Sequence, residues 1–169
     1  VTKGTDEPYR MMTSRSEYRL LLRQDNADNR LTAIGHRLGL VSGERLAAVE
    51  EKYRAVDREI RRLASHGLPP SAELNEFLES RGTAPVHDGA SLLALLRRPQ
   101  VRYEDLRRFD PDMPDLPPEA AEQVEISVKY EGYIQRQAQE VEELRRMEWR
   151  KLPPDLDYAA IQGLRLEAR

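Results

Sequence analysis

The feature that most constrains the fold is an unbroken apolar seam in the first half of the chain. Six apolar residues recur at alternating steps of three and four positions: Leu46, Val49, Tyr53, Val56, Ile60 and Leu63. This spacing places them on one stripe of an α-helix, and Ser42 is a residue type that caps helix N-termini. We therefore predict a long helix from Ser42 to about Ala64. The stripe fits a helical hairpin or bundle contact within one domain, or an intermolecular coiled coil. Three heptads are close to the minimum for a coiled coil, which favours the hairpin.

Shorter helices are predicted on both sides of this long helix. Before it, Asn26 or Asp28 can cap a helix that runs to about Leu38, and Gly39 is typical of a helix stop. The apolar stripe of that helix consists of Leu31, Ile34 and Leu38. A turn is expected over residues 65–70. Three further short helices are predicted: one from Ser71, one that carries Leu92, Leu93, Leu95 and Leu96 and stops before Pro99, and one over residues 103–109.

In the segment after the proline-rich stretch 110–118, the spacing of apolar residues fits either a strand or a helix. Residues 124–130 alternate between apolar and polar side chains, as a half-buried strand does. We still predict helix, because Pro117-Pro118-Glu119 is a helix start and no turn separates it from strongly helical residues downstream. Gly132 would cost about 1 kcal/mol there unless something approaches its bare backbone. The expected inner stripe consists of Ile126, Tyr130, Tyr133, Ile134, Ala138, Val141 and Leu144.

Composition excludes several classes of chemistry. The 169 residues contain no cysteine, so disulfides and thiolate sites are excluded. The three histidines lie on different segments without metal-ligand spacing, and no glycine-rich phosphate loop or serine-nucleophile motif is present. No apolar run approaches a membrane span. We therefore predict no catalytic, cofactor or metal site in this chain, and we expect a cytoplasmic protein.

The stretch before the first predicted helix is rich in arginine. Ser14 and Glu17 have the spacing of a capping box, and Arg15, Arg19 and Arg23 follow one another at steps of four, so one face of a helix would present guanidinium groups. The net charge of the whole chain is −3, but seven basic against five acidic side chains make residues 1–40 +2. Such a face is either simply solvated or lies opposite a polyanion or a set of carboxylates.

Three groups of residues resemble a known family. They are Gly4–Arg15 with its continuation to Thr32, then Val124–Ile126 with Lys129–Ile134, and finally Leu152–Pro154 with Leu156–Tyr158 and Gly163-Leu164. Together these stretches resemble the C-terminal helical region of the FAD-dependent tRNA wobble-uridine modification enzymes called MnmG or GidA. Met12 and Ser16 depart mildly from the family pattern.

The resemblance implies a function for the parent protein. Family members modify C5 of the tRNA wobble uridine, position 34, with FAD, NADH and a folate one-carbon donor. They form homodimers that assemble with the GTPase MnmE. By resemblance, this chain would be a recognition or docking part, inactive alone, that binds neither DNA nor membranes. Its candidate tRNA-binding residues are Arg10, Arg15 and Arg19. The alternative is a structural or protein-interaction bundle whose arginines pair with carboxylates of their own parent.

The expected fold is all-α: a multi-helix bundle with a long helical hairpin and a C-terminal helical subdomain, truncated before the family's natural end. Residues 1–12 would be an entry loop from the missing FAD domain, and residues 13–110 a helical domain. Residues 111–118 would form a proline-rich boundary, and residues 119–169 the incomplete start of the C-terminal subdomain.

Overall fold

The computed structural model describes residues 18–149 and 151. Within them the chain is mostly helical, which confirms the predicted fold class. The described part contains five α-helices: α1 (Ala27–Arg37), α2 (Gly43–Ser65), α3 (Ala72–Ser80), α4 (Leu92–Leu96) and α5 (Pro118–Glu148). Residues Glu104–Arg108 form a 3-10 helix, so the short helix expected at 103–109 is present in this tighter form.

Helices α1 and α2 form the predicted hairpin. The Ser42 hydroxyl accepts a hydrogen bond from the Arg45 backbone N–H at 3.2 Å, which begins α2 at the expected cap. Gly39 ends α1 with a φ of +73°, a conformation that favours glycine. Asn26 occupies the N-cap position of α1, but its side chain does not cap the helix.

The hydrophobic core lies along one side of α2. Val49, Val56 and Leu63 of the predicted seam are buried, and Ile60 packs against the core from a half-buried position. The seam therefore packs within the chain. The largest fully buried apolar side chains are Leu63, Leu74, Leu78, Leu92, Leu95, Leu96, Leu106, Val101 and Val124.

A small sheet lies where a turn alone was expected. Residues Gly67–Leu68 (β1) pair antiparallel with Ala90–Ser91 (β2), with Gly67 opposite Ser91 and Leu68 opposite Ala90. Ser91 also caps α4, since its hydroxyl accepts from the Ala94 N–H at 3.1 Å. The sheet thus brings the end of α2 and the start of α4 together.

The helix predicted from Ser14 through Arg23 is wrong in its described part. Residues 18–22 form a hydrogen-bonded turn, in which the Tyr18 carbonyl accepts from the N–H groups of Leu21 and Leu22 at 2.8 and 2.9 Å. Tyr18 has a φ of +56°, which is incompatible with a right-handed helix. The predicted cap at Ser14 and Glu17 lies outside the described residues.

Helix α5 covers residues 124–130, so the choice of helix over strand is confirmed. The predicted inner stripe is wrong. The buried side chains of α5 are instead Ala120, Gln123, Val124 and Val128. Tyr130, Tyr133 and Leu144 are exposed. The stripe on α1 is likewise exposed rather than packed, at Leu31, Ile34 and Leu38.

The chain divides into two compact units. The first is Val1–Ile134 and contains the core described above. The second is Gln135–Arg169, whose described part is the C-terminal half of α5; there Arg146 pairs with Glu142 at 3.5 Å, and Leu144 and Met147 are exposed. The boundary expected at residues 111–118 stays a prediction.

Candidate nucleic-acid interface

Of the three predicted tRNA-binding residues, the structure describes one. Arg10 and Arg15 lie outside the described residues. Arg19 lies on the turn of residues 18–22 and is exposed. Within the described part of the chain its side chain makes no hydrogen bond or ion pair. Arg19 is therefore an exposed cation that can meet an anion without first breaking a pair with any of the described residues.

Arg23, which the spacing placed on the same face as Arg19, is engaged inside the chain. Its Nε and Nη2 donate to the two carboxylate oxygens of Asp25, each at 2.9 Å, and its Nη1 donates to the Leu20 carbonyl at 2.6 Å. The hydrogen bond from Arg23 holds the pKa of the Asp25 carboxyl below its usual value. Arg23 is thus a structural residue of the turn.

A second arginine fastens this turn to α1. Arg30 donates from Nε to the Asn26 side-chain oxygen at 2.9 Å and from Nη2 to the Arg23 carbonyl at 3.1 Å. Asn26 in turn donates to the Leu21 carbonyl at 3.0 Å. These bonds fix the backbone that carries Arg19.

Arg23, directly after the turn, contacts α5 at Tyr130, one of two tyrosines that the sequence analysis placed on the inner stripe. The guanidinium carbon of Arg23 lies 5.5 Å from the ring centroid of Tyr130, a cation–π arrangement. The rings of Tyr130 and Tyr133 have centroids 6.3 Å apart and are tilted by 56°. Tyr130 is 41% exposed and Tyr133 is 56% exposed. Two accessible aromatic rings therefore adjoin the arginine-bearing turn.

A cleft lies between the hairpin and the start of α5. It has a volume of about 430 Å3 and an apolar floor that includes Ala48, Val49 and Ala120. An adjoining opening shares part of its wall. Around both, the charged residues are Asp25, Asp28, Arg45, Glu51, Lys52, Glu119 and Glu122. Five carboxylates against two cations disfavour a polyanion in this cleft.

One carboxylate in the cleft wall joins the two helices of the hairpin. Asp28 on α1 accepts hydrogen bonds from Lys52 and from the Tyr53 hydroxyl, the latter at 2.7 Å. Partial burial raises the pKa of the Asp28 carboxyl, but these two donors outweigh burial and the net pKa is lowered. Burial and the same hydrogen bond raise the pKa of the Tyr53 hydroxyl above its usual range. Asp28 is therefore an ionised structural group at pH 7.

The described residues offer no cluster of three or more potential metal ligands. His36 Nδ1 lies 2.9 Å from the Val41 carbonyl, and His66 Nδ1 lies 4.0 Å from Asp110 Oδ1. Neither histidine adjoins a second histidine. In the same part of the chain, no helix is long and apolar enough to cross a membrane.

The described residues thus define a mostly helical fold that contains a helical hairpin, a small two-stranded sheet and a long C-terminal helix. A family model described as the tRNA modifying enzyme MnmG/GidA C-terminal helical domain matches residues 43–138. The chain belongs to this MnmG/GidA family.

Individual relatives agree with this assignment. The tRNA uridine 5-carboxymethylaminomethyl modification enzymes MnmG of Geobacillus thermodenitrificans and Bacillus subtilis are 53% and 52% identical over all 169 residues. The chain spans only 27% of each of these proteins. The solved structure of Aquifex aeolicus GidA in its form II crystal aligns with a TM-score of 0.66 and 36% identity, covering 96% of this chain and 25% of that one.

Proposed function

We propose that this chain is a recognition part of an enzyme that modifies C5 of the tRNA wobble uridine, and that it contributes to tRNA binding. The observation that supports the proposal is Arg19, an exposed cation that pairs with none of the described residues and lies on a turn held by hydrogen bonds. Arginine suits phosphate because its planar fork can donate two parallel hydrogen bonds. Arg10 and Arg15 complete the proposed set of phosphate contacts.

The parent enzyme supplies the chemistry in this proposal. FAD, NADH and a folate one-carbon donor would act in the upstream part, and this chain would hold none of them. The parent would work in the cytoplasm as a homodimer that assembles with the GTPase MnmE, to which this chain also contributes a docking surface. Residues 1–12 would enter from the FAD domain, and residues 111–118 would separate a helical domain, 13–110, from a C-terminal subdomain, 119–169.

A second function is favoured by two observations. Arg23 pairs with Asp25 of its own chain, which is the behaviour expected of a structural bundle. The exposed stripe on α1, formed by Leu31, Ile34 and Leu38, is aliphatic and suits a protein partner better than RNA. On this alternative the chain is a protein-interaction bundle without direct RNA contact.

The two functions differ in how tRNA binding responds to salt. In the full-length enzyme, Arg19→Gln or Arg15→Gln should weaken binding of all substrate tRNAs alike and lower the salt slope of log K by about 1. Arg54→Gln is the matched control, because Arg54 is an exposed arginine on α2 that already pairs with Glu50 at 2.8 Å. Wild-type affinity and slope in both arginine variants would favour the interaction bundle.

A further inference from the structure

The face of α5 that carries Tyr130 and Tyr133 is unusual for a helix surface. Both tyrosines are exposed, at 41% and 56%, and their rings lie close to each other on one face. Their rings are tilted by 56° with centroids 6.3 Å apart, so neither ring covers the face of the other. Aromatic surface therefore remains available to a planar group from outside the chain.

Tyr130 is held in place by the arginine-bearing turn. Arg23 lies over its ring, and the guanidinium of Arg23 is itself fixed by Asp25 and by the Leu20 carbonyl. This arrangement restrains the Tyr130 ring before any ligand arrives. It also places the tyrosine pair next to the turn on which Arg19 is exposed.

Gly132 lies between the two tyrosines, in the interior of α5. Glycine destabilises a helix interior relative to alanine. Among the residues that the structure describes, a Cβ at this position would meet no heavy atom within 4 Å. Alanine at this position would therefore add one methyl group to this face without a clash with those residues.

The chemistry of this face and its place beside the arginine-bearing turn suit nucleobases. Every base has a π-face that stacks on tyrosine, whereas the aliphatic side chains typical of helix docking lie elsewhere, on α1. The charged neighbours of the tyrosines are paired, Lys129 with Glu125 at 2.7 Å and Arg97 with Glu131 at 2.8 Å. No uncompensated carboxylate in these pairs would repel a phosphate backbone, in contrast to the acidic cleft.

We infer that Tyr130 and Tyr133 form a stacking platform for an unpaired base of RNA, with Tyr133 taking the base and Tyr130 supporting it. This inference rests on the proposed tRNA function and assigns residues that bind base rather than phosphate. An anticodon loop supplies unpaired bases of the required kind. Stacking is not electrostatic, so its loss should change affinity without changing the salt slope.

The test uses the full-length enzyme and an anticodon stem-loop RNA that carries the fluorescent base 2-aminopurine in its loop. Tyr133→Ala should weaken binding by about 5- to 100-fold at an unchanged salt slope and abolish the quenching of the probe. Tyr133→Phe, which keeps the ring, should bind as the wild type does. A fully paired RNA duplex should bind both variants equally. Gly132→Ala, which adds one methyl group to this face, should also weaken stem-loop binding while helicity stays at or above the wild-type level.

The outcomes of this test distinguish the tyrosine stacking platform from the proposed tRNA-binding function. Unchanged stem-loop binding by Tyr133→Ala, with Arg19→Gln still lowering affinity and salt slope, would overturn the platform and leave the proposed function standing. Unchanged binding in both variants would overturn both. Loss of MnmE association by Tyr133→Ala, with RNA binding intact, would show that this face is a protein interface and would also overturn the platform.

Discussion

The buried ion network at the end of α2 gives the sharpest stability prediction. Arg62 donates from Nε and Nη2 to the two carboxylate oxygens of Glu59, each at 2.8 Å, and its Nη1 lies 2.6 Å from Asp110 Oδ2. The Tyr103 hydroxyl donates to Glu59 at 2.9 Å. Glu59 is 2% exposed and Asp110 is 0% exposed. One guanidinium therefore compensates two buried carboxylates.

Replacing Arg62 by methionine keeps most of the volume and removes the charge. Breaking a buried pair by removing one partner typically costs 3–5 kcal/mol, because an uncompensated charge remains. The Arg62 side chain is 28% exposed, so water screens part of the interaction and we expect about 3 kcal/mol. The contact between Arg62 and Asp110 lacks hydrogen-bond geometry, and no described donor satisfies either Asp110 oxygen. Without Arg62, the His66 Nδ1 at 4.0 Å from Asp110 Oδ1 is too distant to form a hydrogen bond in its place.

Urea unfolding followed by circular dichroism measures this loss. Arg97→Met is the matched control, since its pair with Glu131 is exposed at 53% and 45% and should contribute about 1 kcal/mol or less. Adding Asp110→Asn to Arg62→Met should recover part of the loss, because it removes an uncompensated charge. An Arg62→Met variant as stable as the Arg97→Met control would refute the reasoning.

Three further changes test other parts of the fold. Leu96→Ala should lower the free energy of unfolding by about 2–5 kcal/mol in the same assay, because Leu96 is fully buried in the core. Gly39→Ala should cost about 1 kcal/mol, because the φ of +73° strains any residue with a Cβ. The pKa of Asp28 is lowered on folding, so its stabilisation is present above the ordinary value of 3.8 and is lost as the pH falls through the folded-state pKa. Asp28→Asn should therefore flatten the acid side of a stability profile measured from about pH 2 to pH 6.

The hairpin could be predicted because its signals are local. Ser42 caps α2 through its own hydroxyl, Gly39 ends α1 through its own φ, and the seam from Leu46 to Leu63 has a period that only a helix satisfies. The pairing of β1 with β2 could not be predicted in the same way. It joins Leu68 to Ala90 across the whole of α3, and two residues are too short to show a strand period.

The packed face of α5 was misassigned because the helix carries two apolar stripes. The predicted stripe, which includes Tyr130 and Tyr133, follows the helical period as well. The core instead takes the smaller set of Ala120, Val124 and Val128, whose short side chains let α5 approach its neighbours closely. The buried charges of Glu59 and Asp110 were missed for a related reason, since carboxylates are exposed by default unless a partner distant in sequence compensates them.

Arg19 and Arg23 show why spacing alone could not assign the candidate site. Four residues apart, they would share one helical face, yet the φ of +56° at Tyr18 replaces that helix by a turn and separates their environments. Arg23 is fixed by Asp25 and stacks on Tyr130, while Arg19 is left exposed. Arg23 therefore fits the hypothesis that these arginines pair with carboxylates, and Arg19 fits the hypothesis of a solvated cation. The ion pair of Arg23 with Asp25 holds the turn that presents Arg19, and Arg23 also contacts Tyr130 of α5, one of the two rings that the proposed RNA contact would use.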